Sequence, residues 1–145
     1  MGLHASAAPR RGGWLADRML RLPSLQVSMY LDIQRGPGDT MAASDLVRRF
    51  LDRFKKRQWP ADHPIPDLYY HPRSLDPTME KRSCLHAKCV VIDGEKVFVS
   101  SANFTEAAQL RNIEVGVLIN SRATANQITS FFRSMVNDGH LSPIR

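Results

Sequence analysis

Apolar and polar positions along the chain follow two periods in turn, and each change of period marks an element boundary. Trp14, Leu15, Arg18, Met19 and Leu22 have helical spacing, and Pro23 stops the helix they predict. Leu25, Val27, Met29, Leu31 and Ile33 then recur every second residue, which predicts a strand over 25–33 with one apolar face. Gly36-Pro37-Gly38 breaks it. Over 40–57 the period returns to that of a helix, with Leu46, Val47, Phe50, Leu51 and Phe54 as its apolar stripe. Pro60, Pro64 and Pro66 make 59–66 a loop, and 67–71 (DLYYH) reads as a short strand. Residues 72–83 are a polar connection that runs straight into the next strand.

Cys89-Val90-Val91-Ile92 is apolar on both faces and predicts a buried strand, extended back to Leu85. Asp93-Gly94 is the dipeptide most favoured in two-residue hairpins. Lys96 to Ser100 is the return strand and 112–119 (NIEVGVLI) a third. Ser121 is placed to cap a last helix, with Ile128, Phe131, Phe132, Met135 and Val136 directed inward and Asp138-Gly139 ending it. There is no internal repeat. Strands alternating with helices predict an α/β fold, a mixed β-sheet flanked by helices. Residues 1–13 are small, polar and glycine-rich and read as a disordered lead, which leaves 14–145 as a single domain.

Composition adds a charge argument. The net charge is +6, and 15 of the 20 basic residues are arginine, the residue favoured for bidentate phosphate contacts. That balance fits a nucleic-acid or phosphate partner, or an acidic membrane surface. The basic face of the 40–57 helix (Arg48, Arg49, Arg53, Lys56, Arg57) reads first as solvated and second as a phosphate-backbone contact. Cys84 and Cys89 lie an odd number of residues apart on one extended segment, so they face opposite ways. No disulfide is expected between them, which implies a reducing, cytoplasmic compartment. The same geometry rejects a zinc site at Cys84-x-His86-x2-Cys89, which also lacks a fourth ligand. No metal is assigned. No apolar run approaches the ~18–20 residues of a membrane span, and no signal peptide follows the N-terminal arginines.

Candidate chemistry gathers in 85–119. His86 and Lys88, two apart on an extended segment, share a face roughly 7 Å apart, a gap that suits a phosphate between an imidazole and an ammonium. Ser101 and Asn103 follow the return strand, and Glu114, on the third, can approach the imidazole. Alone, each has an ordinary structural reading: a core histidine, a snorkelling lysine, turn residues, an edge carboxylate. Together, His86-Ala87-Lys88, Asp93, Ser101-Ala102-Asn103 and Glu114 resemble the phospholipase D superfamily pattern, His-x-Lys-x4-Asp followed by a Ser-x-Asn loop. HAKCVVID, SSANFTEAAQ and RNIEVGVLI also resemble the phospholipase D-like proteins of the DISARM anti-phage defence system. With weaker cues upstream, the resemblance covers about residues 25–137. The superfamily commonly has glycine just before the serine, where this chain has Ser100. Its members usually begin with a further β-α unit, so the chain is expected to lack the first such unit.

The resemblance implies a metal-independent phosphodiesterase without cofactor. In it His86 is the nucleophile forming a phosphohistidine, and Glu114 holds the other ring N–H. Lys88, Ser101 and Asn103 bind the phosphate oxygens, and Asp93 is structural. The reaction uses two histidines, and the chain has one His-x-Lys, so a homodimer with a composite active site is expected. Nucleic acid, DNA or RNA, is the expected substrate, with other defence-system proteins as partners and no membrane. A nucleic-acid- or partner-binding module with dispensable catalysis is the second reading. A phospholipid hydrolase is the third, and no amphipathic membrane helix or lipid-anchor motif supports it.

Overall fold

The computed structural model describes residues 13–101 and 113–145. All but Gly13 of the 1–13 lead lies outside them, as do Asn103 and Asn112. The α/β class expected from the pattern is what is observed, and its strands form two three-stranded sheets. The chain divides into two compact units, one reaching to Leu85 and taking in Ser142–Arg145, the other His86–Leu141.

The first unit holds α1 (Gly13–Arg21), β1 (Ser28–Leu31), α2 (Ala43–Arg53) and β2 (Asp67–Tyr70), with the C-terminal β6 (Ser142–Pro143). β1 and β2 are parallel, with Ser28 opposite Asp67 and Leu31 opposite Tyr70. β6 runs antiparallel to β2, so this sheet is mixed. The alternation from Leu25 to Leu31 packs against the core and Ile33 is buried in it, although the ladder takes in only Ser28–Leu31. In α1 the buried residues are Ala16 and Met19, while Trp14 points to solvent. α2 buries Leu46 and Val47 and closes in a wide π-helical turn over Phe54–Gln58. Trp59 is extended there because it precedes Pro60, which disfavours a helical conformation in the residue before it. The wide turn stacks Phe54 on Trp59, centroids 5.5 Å apart. The indole N–H then donates to Pro64 O at 2.9 Å, leaving no polar cost for its burial.

The connection over 72–83 is more structured than its polarity suggested. It forms short 3₁₀ turns at Pro72–Leu75 and Met79–Lys81 and buries Ser74 and Leu75. Full burial of an aliphatic side chain such as Leu75 contributes about 1.5–3 kcal/mol.

The second unit is an antiparallel meander of β3 (Cys89–Ile92), β4 (Lys96–Ser100) and β5 (Gly116–Asn120), followed by α3 (Arg122–Asn137), which packs on β3 and β4. The turn between β3 and β4 falls on Asp93 and Gly94, both with positive φ (52° and 64°), as the sequence pair demands. Glu95 is an additional residue in that turn, because the ladder pairs Ile92 with Lys96. β3 begins at Cys89, not Leu85, since β4 ends at Ser100 and offers the earlier residues no regular partner. β5 likewise starts at Gly116, later than expected. The Phe98 ring covers that glycine closely, and a Cβ there would stand 2.6 Å from a ring carbon. Ser121 caps α3 as expected, accepting from the Thr124 N–H. Ala125, Ile128, Phe132 and Met135 form its covered stripe. Phe131 falls off that stripe and is 58% exposed, against the inward packing expected of it. No helix among the described residues is long and apolar enough to cross a membrane.

One surface contact makes the first unit pH-sensitive. His63 Nδ1 lies 2.8 Å from Ala61 O and Nε2 2.9 Å from an Asp17 carboxylate oxygen. Both favour the imidazolium, and the Ala61 carbonyl, then Asp17, raise the His63 pKa above its ordinary value. A raised folded-state pKa contributes stability that is complete below the ordinary value of about 6.5 and is lost as pH rises through the folded value. NMR titration of the His63 ring should give a midpoint above that of a free imidazole. Asp17→Asn should lower it part of the way, and an unchanged midpoint would contradict the assignment.

Candidate active site

The meander sets the positions of the polar residues. In an antiparallel three-strand sheet, the start of the first strand, the end of the second and the start of the third share one end. Cys89 is opposite Val99, and Ser100 opposite Gly116. His86 and Lys88 precede β3, Ser101 follows β4, and Glu114 precedes β5, so all four lie at that end of the second unit. The backbone there stays tied beyond the ladder, with Ser100 N–H donating to Lys88 O at 2.9 Å and Ser101 N–H to Val115 O at 3.0 Å.

Two pairs of side chains form. Lys88 Nζ donates to His86 Nε2 at 3.1 Å and to the His86 carbonyl at 2.9 Å. An ammonium has only donors, so Nε2 supplies the lone pair and the ring proton sits on Nδ1. The gap expected between the two residues is thus closed by direct contact. Ser101 Oγ donates to a Glu114 carboxylate oxygen at 2.5 Å and accepts from the Val115 N–H at 3.2 Å. Glu114, expected to approach the imidazole, accepts the Ser101 hydroxyl on its carboxylate. Asn103, the remaining expected phosphate ligand, lies outside the described residues.

Asp93 sits apart from these groups, exposed, in the turn at the other end of the β3–β4 hairpin. Ser100, standing where glycine is common, lies within β4 and needs no positive φ, so its side chain costs the backbone nothing there. Cys84 and Cys89 are free thiols, and burial pushes the Cys89 thiol up from its usual pKa.

The arrangement offers an unprotonated imidazole nitrogen beside an ammonium, with a carboxylate held by a hydroxyl at the same end of the sheet. Those are the parts needed for attack on an electrophilic anion, such as phosphorus in a phosphodiester. The Ser101–Glu114 pair was not foreseen from spacing. The signal was available in the register, since extending the β4–β5 pairing beyond Ser100 and Gly116 brings residues 101 and 115 opposite each other.

The sequence profile of a family described as cardiolipin synthase, phospholipase D-like domain, matches residues 51–136, a span that includes His86, Lys88, Asp93, Ser101 and Glu114. A DISARM protein DrmC of Bacillus paralicheniformis is 34% identical over 71 residues. The aligned stretch is 49% of this chain and 26% of that relative, so the likeness spans about a quarter of the relative's length.

The Lys88 contact has a spectroscopic consequence. The ¹⁵N shifts of His86 should show the Nδ1–H tautomer near neutral pH. Lys88→Met removes the donor to Nε2 and should raise the Nε2–H fraction. The same tautomer populations in both proteins would mean that Lys88 does not hold the ring.

Proposed function

The chain belongs to the phospholipase D-like domain family, and from that premise we propose that it is a metal-independent nuclease, cleaving phosphodiester bonds through a phosphohistidine at His86. The observation that carries this reading is the His86–Lys88 pair, an Nε2 lone pair 3.1 Å from an ammonium.

Substrate phosphate enters between the two groups. Lys88 moves its donor from Nε2 to a non-bridging oxygen, which frees the lone pair for attack and places positive charge where negative charge accumulates. The Nε2–P bond forms as the P–O bond to the leaving group breaks. The leaving oxygen takes a proton from the imidazolium of a second copy's His86. Water then attacks phosphorus, gives its proton to that second imidazole, and the P–N bond breaks. Each chain has one His-x-Lys, so this route requires a homodimer with a composite site. Glu114, oriented by Ser101, stabilises the developing imidazolium. Asn103 adds a neutral donor to the phosphate oxygens, and Ser101 adds a second when its single O–H turns from Glu114 to the bound phosphate, with Asp93 shaping the turn.

The family match crosses both units, which supports reading 14–145 as one domain. The arginine-rich composition favours nucleic acid over lipid, and the likeness to a DISARM protein favours a role in anti-phage defence beside other defence proteins, in the cytoplasm. The exposed basic face of α2 supports the second reading, a module that binds nucleic acid without cleaving it.

A nuclease assay on DNA and RNA in excess chelator tests the proposal. The wild type should cleave and carry an acid-labile phosphoryl label on the His86 peptide, while His86→Ala should lose at least ~10³-fold of the activity, the scale on which loss of a nucleophile acts. Cleavage that requires added magnesium or manganese, or label on another residue, would overturn it. Binding without cleavage would leave the module reading.

Glu114→Gln should lower kcat more than it raises KM, because the imidazolium exists only along the reaction path. An unchanged kcat would place the carboxylate outside the reaction.

A further inference from the structure

The first unit contains a cavity of about 270 Å³ lined by Gln34, Arg35, Ser74, Arg82, Ser83 and Cys84. None of these residues takes part in the chemistry above. Arg35 is its most telling member. It is a buried charge, 7% exposed, and such residues are rarely buried without a partner.

Its partners are mostly neutral. Nε donates to Leu75 O at 2.9 Å, and Nη1 to Asp39 O at 2.9 Å and Met41 O at 2.6 Å. The Asp39 carboxylate stands 4.0 Å from Nη1, beyond hydrogen-bond distance, and accepts instead from the Met41 N–H. Among the described residues Nη2 makes no hydrogen bond, and Arg35 lines the cavity.

Arg82 repeats the pattern. Nε donates to Asp76 O at 2.7 Å, Nη1 to Arg35 O at 3.1 Å and Nη2 to Pro77 O at 3.3 Å. No carboxylate pairs with it among the described residues. Carbonyl dipoles satisfy N–H groups but cannot cancel two full charges held in one half-buried place. Of the other nearby acids, Asp76 accepts from the Thr78 N–H and Asp32 from Gln34 and the Leu85 N–H, and neither lines the cavity.

What remains is a small hollow of mixed lining with an excess of fixed positive charge. The Ser83 hydroxyl, 3.1 Å from His71 Nε2, and the Gln34 amide add neutral hydrogen-bonding groups to its wall. Its volume falls just below the range of ~300–1,000 Å³ for drug-sized ligands. A tetrahedral oxyanion suits it better, because a guanidinium edge and hydroxyls match phosphate oxygens. We infer that this cavity is a phosphate-binding site that shares no residue with the His86–Lys88 pair, and that Arg35 and Arg82 hold the oxyanion in it. The inference does not depend on the nuclease reading, since it uses no residue of that site.

The full ¹⁵N-labelled chain, titrated with inorganic phosphate against chloride at matched ionic strength, tests it. Saturable shifts are expected at the Ser83 and Cys84 amides and at Arg35 Nε–Hε. They should persist in His86→Ala, which separates this site from the nucleophile. Arg82→Gln should weaken binding roughly tenfold or more, the scale of a charged hydrogen bond. Cys84 is exposed, so Cys84→Glu puts a carboxylate at the cavity without disturbing the core, and phosphate binding should vanish while the spectrum stays folded. A second arm uses an eight-nucleotide DNA strand without terminal phosphate. Shifts of the same residues there would assign the site to backbone phosphates, and shifts with inorganic phosphate alone to the free anion. Absence of saturable shifts, equal affinity in all the variants, or loss of binding in His86→Ala alone would overturn the inference.

Discussion

The antiparallel register of β3, β4 and β5 is the constraint on which the candidate site depends. It places the segments before β3, after β4 and before β5 side by side, and it does so through backbone hydrogen bonds that any sequence could make. Side chains then decide the register. Val97 is fully buried on one face, and a slip of one residue would turn it to solvent and bring Lys96 or Phe98 in its place. Asp93 and Gly94 accept the left-handed conformation of the turn, and Gly116 leaves room for the Phe98 ring. Each of these features acts away from His86, yet each fixes where His86 stands relative to Ser101 and Glu114.

Within that frame, charge organises the rest. Lys88 sits on the nitrogen that the proposed reaction uses, so the proposed nucleophile and the proposed phosphate ligand are held against each other. An anion that takes over the ammonium frees the imidazole in the same movement. Ser101 does a similar service for Glu114, donating its hydroxyl to the carboxylate. In the first unit, Arg35 and Arg82 use their donors to bind carbonyls and stiffen the turns around them, with the Asp39 carboxylate 4.0 Å from Arg35 as their one paired acid among the described residues. Both units thus keep positive charge in defined places, as expected of a chain with an excess of arginine.

The amino-acid pattern by itself determined the elements and the parts of the candidate site that lie close together in the chain. The alternation from Leu25 to Ile33, the Asp93-Gly94 turn and the Ser121 cap are local signals whose physics involves only neighbouring residues, and they appear where the pattern put them. His86, Lys88, Ser101 and Glu114 were legible because the Asp93-Gly94 turn and the pairing of neighbouring strands bring them to one end of the sheet. Tertiary structure decided what depends on partners distant in sequence. The division of strands between two sheets, with β6 pairing back to β2, could not be read from local period. The contact between Lys88 and His86 and the partnership of Glu114 with Ser101 turned on rotamers and register, which spacing leaves open. Burial of Arg35 was hidden most completely. Its carbonyl partner at Leu75 lies 40 residues away, and a charged residue beside Gly-Pro-Gly gives no local sign that the chain will fold over it.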